Sequence, residues 1–228
     1  MRFPEEHVGG TAVPVKVMQS AFDYTPRAML AQRSFWLLYA MMTVGAIPGL
    51  LMIGHIKPVA EAFGIADAEV SILGVGLGAA LPLALLLDPL SGGVTRPVFG
   101  WLSDHIGRER AIFVAFALEG AALLVLILAR ASARAFVVMS ALSFFGWGAI
   151  FSLFPAVSAD MFGRRFAATN YGLLYTAKGA AAIVVALCTR VQADTGSWGL
   201  VFALMIAADW LAALLALFAL KPMRERLR

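Results

Sequence analysis

Six long apolar runs dominate this chain and leave little room for any other kind of structure. Residues 34–54 carry no charge, and neither do residues 135–159. A helix needs about 20 predominantly apolar residues to cross the hydrocarbon core of a bilayer. The runs therefore predict an all-α membrane protein with six transmembrane helices, at about 34–56, 72–102, 111–129, 136–160, 168–189 and 199–220.

The composition agrees with a membrane protein and argues against several other classes. Hydrophobic residues make up 61% of the chain and charged residues 14%, whereas a soluble domain is roughly half apolar and about a quarter charged. The single cysteine, Cys188, excludes an intramolecular disulfide and a cysteine-based metal site, and the three histidines are scattered. No nucleophile–base motif stands out. We therefore expect a protein that is not an enzyme and that needs no cofactor and no metal.

The distribution of basic residues predicts the orientation of the spans. With the N-terminus inside, the inner segments hold twelve Lys and Arg residues and the outer loops hold four. Cytoplasmic loops are enriched in these residues, so we expect a multi-pass protein of the cytoplasmic (inner) membrane with both termini in the cytoplasm. The same bias explains the net charge of +4 without a nucleic-acid partner. Residues 1–33 are then a cytoplasmic arm, 34–222 the six-helix domain and 223–228 a basic tail.

The sequence GWLSDHIGRER, residues 100–110, lies between the second and third predicted helices. Gly107 permits a tight turn, and Asp104 can reach Arg108 or the start of the next helix. This contact could be a cytoplasmic latch that breaks and re-forms as helices move, or a basic anchor that only sets the topology. The spacing resembles the Gly–Asp–Gly–Arg–Arg pattern of the major facilitator superfamily, carried here by Gly100, Asp104, Gly107, Arg108 and Arg110.

A narrower resemblance is carried by residues 20–39, 95–110 and 143–182, which resemble the second half of bacterial oxalate:formate antiporters. It extends from about residue 18 to Pro222. It implies one six-helix half of a major facilitator fold, a 3+3 inverted repeat, that takes part in the exchange of small organic anions. Such transporters have twelve helices, so we expect a missing N-terminal half or a second copy as partner. The alternatives are a truncated, non-transporting remnant and a membrane scaffold subunit.

Two cations, Arg96 and Lys178, lie inside predicted spans. A charge there costs at least about 2.5–3.5 kcal/mol and usually faces a polar cavity. Arg96 is about 12 Å and Lys178 about 13–14 Å from the predicted cytoplasmic end of its helix, at about 1.5 Å per residue. Both should therefore lie near the midplane, where secondary transporters hold their substrates. A small carboxylate would neutralise both cations; the alternative is a structural ion pair with Asp88 or Glu119.

Aromatic residues flank the same predicted position. Tyr171 and Tyr175 precede Lys178 by seven and three residues and share its helical face. Trp147 and Phe151 belong to an aromatic stripe with helical spacing in the fourth run. Such a stripe can be simple packing or lipid contact. The antiporter resemblance implies instead that the two cations bind the substrate and that Trp147 and Tyr175 line an aromatic box around it, which Tyr171 and Phe151 would extend.

The chain also departs from the family pattern. WGAIF at 147–151 stands where the family has Trp-Gly-Glu-Ile-Tyr, and Pro89 and Gly92 stand where Arg and Asn are expected. The loss of a carboxylate and a hydroxyl widens the expected substrates from oxalate and formate to a monocarboxylate or another small organic anion. Glu119 and Asp209 also lie within spans. We expect a structural role for both, with proton coupling as the alternative.

Overall fold

The computed structural model describes residues 20, 22–72 and 75–225, and this part of the chain is almost entirely helical. The all-α prediction is thereby confirmed. Most of the predicted arm and the last three residues of the predicted tail lie outside the described residues. The elements, in chain order, are α1 (Pro26–Leu30), α2 (Arg33–Ala62), β1 (Glu69–Ile72), β2 (Val75–Ala79), α3 (Ala80–Ile106), α4 (Arg108–Leu128), α5 (Ala133–Gly148), α6 (Ile150–Phe162), α7 (Ala167–Tyr175), α8 (Ala177–Thr195), α9 (Gly199–Leu215), a π-helical turn (Ala216–Leu220) and α10 (Lys221–Glu225).

The long helices correspond to the predicted membrane spans. Within the described ranges, five stretches are long and apolar enough to cross a bilayer; they are Arg33–Ala62, Arg108–Leu128, Ala133–Phe162, Ala167–Thr195 and Gly199–Arg224. The remaining predicted run, the second along the chain, corresponds to α3, which has 27 residues but is not among these five. Asp88, Arg96 and two internal prolines make it more polar than the others. The count is therefore five apolar spans and one more polar long helix.

The start of the second predicted helix was wrong. That helix was expected from residue 72, but α3 begins at Ala80, and β1 and β2 form an antiparallel hairpin in which Glu69 pairs with Ala79 and Val70 with Gly78. Gly78 has a φ of +101°, which only glycine adopts without strain and which is incompatible with an α-helix. The predicted run of 31 residues, 72–102, is longer than one crossing requires, and the hairpin takes up the surplus.

Helix α3 is held closely against α5. Thr95 Oγ1 donates a hydrogen bond of 2.7 Å to the carbonyl of Phe145. A Cβ added to Gly148 would lie 2.7 Å from the carbonyl oxygen of Gly92, so the two backbones touch at these glycines. Small residues permit such close approach between membrane helices. Arg96 directly follows Thr95, so the position of its backbone is set by α5.

The remaining helices complete one bundle. Helix α4 packs between α5 and α9, and α2 packs against α8 and α9. The core between them is apolar and contains fully buried aromatic rings, among them Phe35, Phe116, Phe154 and Phe202. Only 22% of the most apolar window in Ala167–Thr195 is buried, against 44–61% for the other four spans. Helices α7 and α8 therefore form the least buried of these five spans.

Candidate functional site

Arg96 extends from α3 towards the aromatic residues of α6. Its Cζ atom lies 5.2 Å from the centroid of the Phe151 ring, and its side chain is exposed at the surface of the bundle. Arg96 lies ten residues before the end of α3, about 15 Å at a rise of 1.5 Å per residue. The guanidinium therefore lies well inside the span.

Lys178 reaches the same ring from the opposite part of the bundle. It is the second residue of α8, and its Nζ atom lies 5.1 Å from the centroid of Phe151, 5.5 Å from that of Trp147 and 5.8 Å from that of Tyr175. Such cation–π contacts stabilise by about 0.5–2 kcal/mol each. Lys178 is eleven residues into the span that starts at Ala167, about 17 Å by the same rise. The two cations thus share one aromatic ring at nearly one depth.

An unbroken chain of aromatic rings surrounds the two cations. The centroids of Trp147 and Phe151 are 5.0 Å apart, those of Phe151 and Tyr175 are 6.3 Å apart, and those of Tyr175 and Tyr171 are 5.7 Å apart. The structure therefore brings together all six residues that the sequence suggested for binding. Whether they bind a substrate stays a prediction. Phe154, in the same sequence stripe, instead packs against Phe116 in the core.

Both spans that carry the aromatic residues are locally distorted at the site. Ala149 lies between α5 and α6, between Trp147 and Phe151, and Thr176 lies between α7 and α8, just before Lys178. Both residues keep helical φ and ψ values, so each span continues through the site. Sequence reasoning missed both distortions, although Pro155 was a usable signal for the first. Proline lacks an N–H, so it cannot donate the helical bond to the carbonyl of Phe151.

Trp147 is held in place by a residue that sequence reasoning missed. Its side chain is 8% exposed, and a Cβ added to Gly49 on α2 would overlap its indole. The indole therefore packs directly on the backbone of α2. Nothing in the spacing of Gly49 distinguishes it from the other glycines of the spans.

The charges around the site argue against a structural ion pair. Within the part of the chain that the structure describes, neither Arg96 nor Lys178 makes a salt bridge. Asp88 is buried and accepts a 3.0 Å hydrogen bond from Ser140 instead. Glu119 is fully buried with no hydrogen-bonding partner for either oxygen. The alternative of a pair with Asp88 or Glu119 is thus wrong.

The 100–110 loop forms ionic contacts at one end of the bundle. Gly107 has a φ of +93° and ends α3. Arg108 contacts Asp104 at 2.7 Å and Asp160 at the end of α6 at 3.2 Å, and it also donates to Ser103. Arg110 is exposed and Gly100 lies in open space. Of the five residues of the loop pattern, Asp104, Gly107 and Arg108 therefore form the turn and its ionic contact, whereas Gly100 and Arg110 lie outside that contact.

A second ionic contact, between Arg224 and Glu109 at 2.7 Å, joins the C-terminal helix to the start of α4. Arg224 also lies 3.9 Å from Asp160, so the two contacts form one cluster. Sequence reasoning missed Asp160, Glu109 and Arg224. The signal available was that Asp160 is the first charge after 25 uncharged residues of the fourth run.

The segment just before α1 covers the loop that follows this cluster. The Tyr24 N–H donates to the carbonyl of Phe162 at 2.8 Å, and Asp23 accepts from the Arg165 N–H at 3.1 Å. Gly163 has a φ of +85°, and a Cβ there would lie 2.7 Å from Cα of Asp23. Only glycine therefore allows the segment to lie this close to the loop.

Comparison with known proteins places this arrangement in a family. The family model described as the Major Facilitator Superfamily matches residues 35–228. The chain belongs to the Major Facilitator Superfamily. The superfamily assignment made from the 100–110 loop is thereby confirmed.

Individual relatives of this superfamily chain cover it to different extents. The oxalate:formate antiporter of Oxalobacter formigenes is 29% identical over 224 residues, which are 98% of this chain and 50% of the antiporter. An uncharacterized 38 kDa protein of Thermoproteus tenax is 34% identical over 68% of this chain and 36% of its own length. The uncharacterized MFS-type transporter YhjX of Escherichia coli K12 is 28% identical over 71% of this chain and 38% of its own length.

The lengths and names of these relatives bear on how much of a transporter this major facilitator chain covers and on its class of protein. The chain spans half, or less than half, of the length of the three relatives. The two relatives with a functional name are an antiporter and a transporter. A chain of this superfamily is a multi-pass membrane protein and not an enzyme, as the composition indicated.

Proposed function

We propose that this chain forms one six-helix half of an antiporter for small organic anions, with Arg96 and Lys178 as its anion-binding pair. The observation that carries the proposal is that both cations lie against the ring of Phe151, well inside long helices, without a carboxylate partner in the described residues. An isolated charge at that depth is costly. An anion between the two would neutralise both, and the guanidinium could hold a carboxylate through two hydrogen bonds.

The aromatic rings restrict the anion to a small one. Trp147, Phe151, Tyr171 and Tyr175 surround the cations, and of these only the two tyrosines carry a hydroxyl group. The relative of Oxalobacter formigenes is an oxalate:formate antiporter, which supports oxalate and formate as the first anions to test. The missing hydroxyl at Phe151 also favours a monocarboxylate or another small organic anion.

A second six-helix half would cover the face on which the two cations lie. Helices α3 and α8 expose large apolar side chains on the bundle surface, among them Leu90, Val94, Ile183 and Leu187. Apolar side chains alone could face lipid, but Arg96 on α3 is exposed as well. A charge at this depth requires a polar cavity. A second half, from another polypeptide, a further segment or a second copy, would enclose that cavity.

The basic loops support a location in the inner membrane with both termini in the cytoplasm. The contacts of Arg108 and Arg224 with Asp160 gather the loop after α3, the end of α6 and the C-terminal helix at one end. This end also holds Arg164 and Arg165, as the preference for inward-facing basic residues requires. We further propose that the Arg108 contact with Asp104 and Asp160 is the latch of the loop Gly100–Arg110, closed in this conformation.

Calorimetric titration of the purified chain with oxalate and with formate tests the anion site. Arg96→Gln and Lys178→Gln should each weaken binding at least about tenfold, or about 1.4 kcal/mol. Arg190→Gln is the matched control because Arg190 is exposed and pairs with Asp194 away from the site. Radiolabelled oxalate exchange in vesicles, with a matching N-terminal half co-expressed, tests transport with the same variants.

Two results would count against the proposal. If both Gln variants bind and exchange anions as the wild type does, the assignment of Arg96 and Lys178 is wrong. If the wild type binds no small organic anion in a panel that includes oxalate, formate and other monocarboxylates, and exchanges none with a partner half, the chain is a scaffold subunit or a remnant.

A further inference from the structure

Two acidic side chains outside the anion site are buried, and no group among the described residues donates a hydrogen bond that would stabilise their negative charge. Glu119 lies near the middle of α4 and Asp209 within α9. Each is 0% exposed, and none of their four carboxyl oxygens has a hydrogen-bond partner. A Cβ added to Gly120, the residue after Glu119, would lie 3.4 Å from Cβ of Asp209, so the two acidic side chains come from adjoining positions of α4 and α9. Buried polar groups are nearly always hydrogen-bonded, so this pair requires an explanation.

The helices around the pair are closely packed. A Cβ added to Gly146 on α5 would lie 2.8 Å from Cβ of Glu119, and a Cβ added to Gly120 would lie 2.7 Å from Cδ1 of Trp210 and 3.4 Å from Cβ of Asp209. The backbones of α4 and α5 and the side chains of α9 are thus in direct contact. Because both acidic side chains are 0% exposed, bulk water does not reach the two carboxyl groups, and a buried charge without hydration is costly.

Cations on the neighbouring elements do not reach the pair either. Helices α4 and α9 pack against α2, α3, α5, α6, α8 and the π-helical turn. Within the described residues, no cation forms a salt bridge with Glu119 or Asp209. Several charged groups on these elements have other contacts; Asp88 contacts Ser140, Arg96 and Lys178 contact Phe151, Lys57 pairs with Glu61, Arg190 pairs with Asp194, Arg108 contacts Asp104 and Asp160, and Arg224 contacts Glu109.

We propose that Glu119 and Asp209 form a proton-binding site between α4 and α9 in which both carboxyl groups are protonated at neutral pH. Two carboxylates take up two protons, one on an oxygen of each group, and no co-reactant is needed. Protonation removes the mutual repulsion and the cost of two unhydrated charges, and it creates an O–H donor on each group. One carboxyl then donates a hydrogen bond to the other and links the two helices. The protons exchange with water only when α4 and α9 separate.

Infrared spectroscopy of the purified full chain tests this site. At about pH 8, far above the pH of about 4 at which exposed Asp and Glu titrate, the wild type should show the absorption band of protonated carboxylic acids. The band should shift only slowly in deuterated buffer because the pair is closed to water. The double variant Glu119→Gln, Asp209→Asn should lose it and should remain folded, because amides keep the shape and the hydrogen bond.

Asp88 is the matched control because it is also buried and has one oxygen without a partner. Asp88→Asn should keep the band. The proposal is overturned if Asp88→Asn abolishes the band, if the double variant retains it, or if the wild type shows none at this pH. Should the double variant not fold, the Asp88→Asn variant alone decides: a band that persists supports the site, and its absence refutes it.

Discussion

Replacing Gly49 by Ala places a methyl group against the indole of Trp147. The added Cβ would lie 2.5 Å from Cγ of Trp147, about 1 Å inside the contact distance of about 3.5–4.0 Å for two carbon atoms. Either the indole moves or α2 does. Overpacking of a buried site costs about 1–3 kcal/mol, and a protein of this size loses about 2–4 °C in Tm per kcal/mol.

Thermal unfolding of the purified chain measures this cost. We expect Gly49→Ala to lower Tm by about 2–12 °C. Gly54→Ala is the matched control because Gly54 lies on the same helix and nothing lies within 4 Å of its added Cβ. There, Ala should stabilise the helix by about 0.5–1 kcal/mol and leave anion binding unchanged. Because Lys178 lies 5.5 Å from the Trp147 ring, Gly49→Ala should also weaken anion binding.

A double-mutant cycle connects the loss to the indole. In the background Trp147→Phe, a smaller ring faces Gly49, so the second substitution should cost less than in the wild type by about 0.5–3 kcal/mol. The close packing of the indole on α2 is refuted if Gly49→Ala and Gly54→Ala change Tm alike. It is also refuted if the two substitutions at Gly49 and Trp147 act additively.

Two further substitutions test the contacts that hold the bundle. Arg108→Gln removes hydrogen bonds to carboxylates, so in chemical unfolding it should lower the free energy of unfolding by about 1.5–3 kcal/mol. Arg110→Gln, at an exposed position, should have little effect. Equal effects of the two substitutions would refute the latch contact. Gly148→Ala forces the α5 backbone away from Gly92 and should lower Tm, whereas Gly93→Ala, with nothing within 4 Å of the added Cβ, should not; a tolerated Gly148→Ala would contradict the close α3–α5 packing.

Hydropathy and helical rise were sufficient to locate the cations. Since each residue adds about 1.5 Å to a helix, counting from the charged helix ends placed Arg96 and Lys178 at nearly one depth, and the structure has both against Phe151. The count could not say that they share a ring, because rotation about each helix axis is set by packing. The same limit hid Gly49 and Asp160, whose importance arises from residues distant in sequence.

The hairpin at Glu69–Ala79 shows a different limit. Apolar composition over residues 72–79 fits a membrane helix equally well, and periodicity cannot separate a short apolar strand from a helix. The backbone of Gly78, with a φ of +101°, is what excludes a helix at this position. A closer reading of the glycines at 76 and 78, which weaken a helix by about 1 kcal/mol each relative to Ala, would have moved the predicted start of α3.

The helices that carry Arg96 and Lys178 are packed against the bundle to different extents. Arg96 follows Thr95, whose hydroxyl is bonded to α5 at 2.7 Å, and the backbones of α3 and α5 touch at Gly92 and Gly148. Lys178 begins a helix whose span is only 22% buried. An anion held by both cations would therefore join a helix of the least buried of the five spans to the firmly packed α3–α5 pair. The free energy of anion binding would then act mainly on the position of α8, which is the element we expect to shift between the empty and the loaded states.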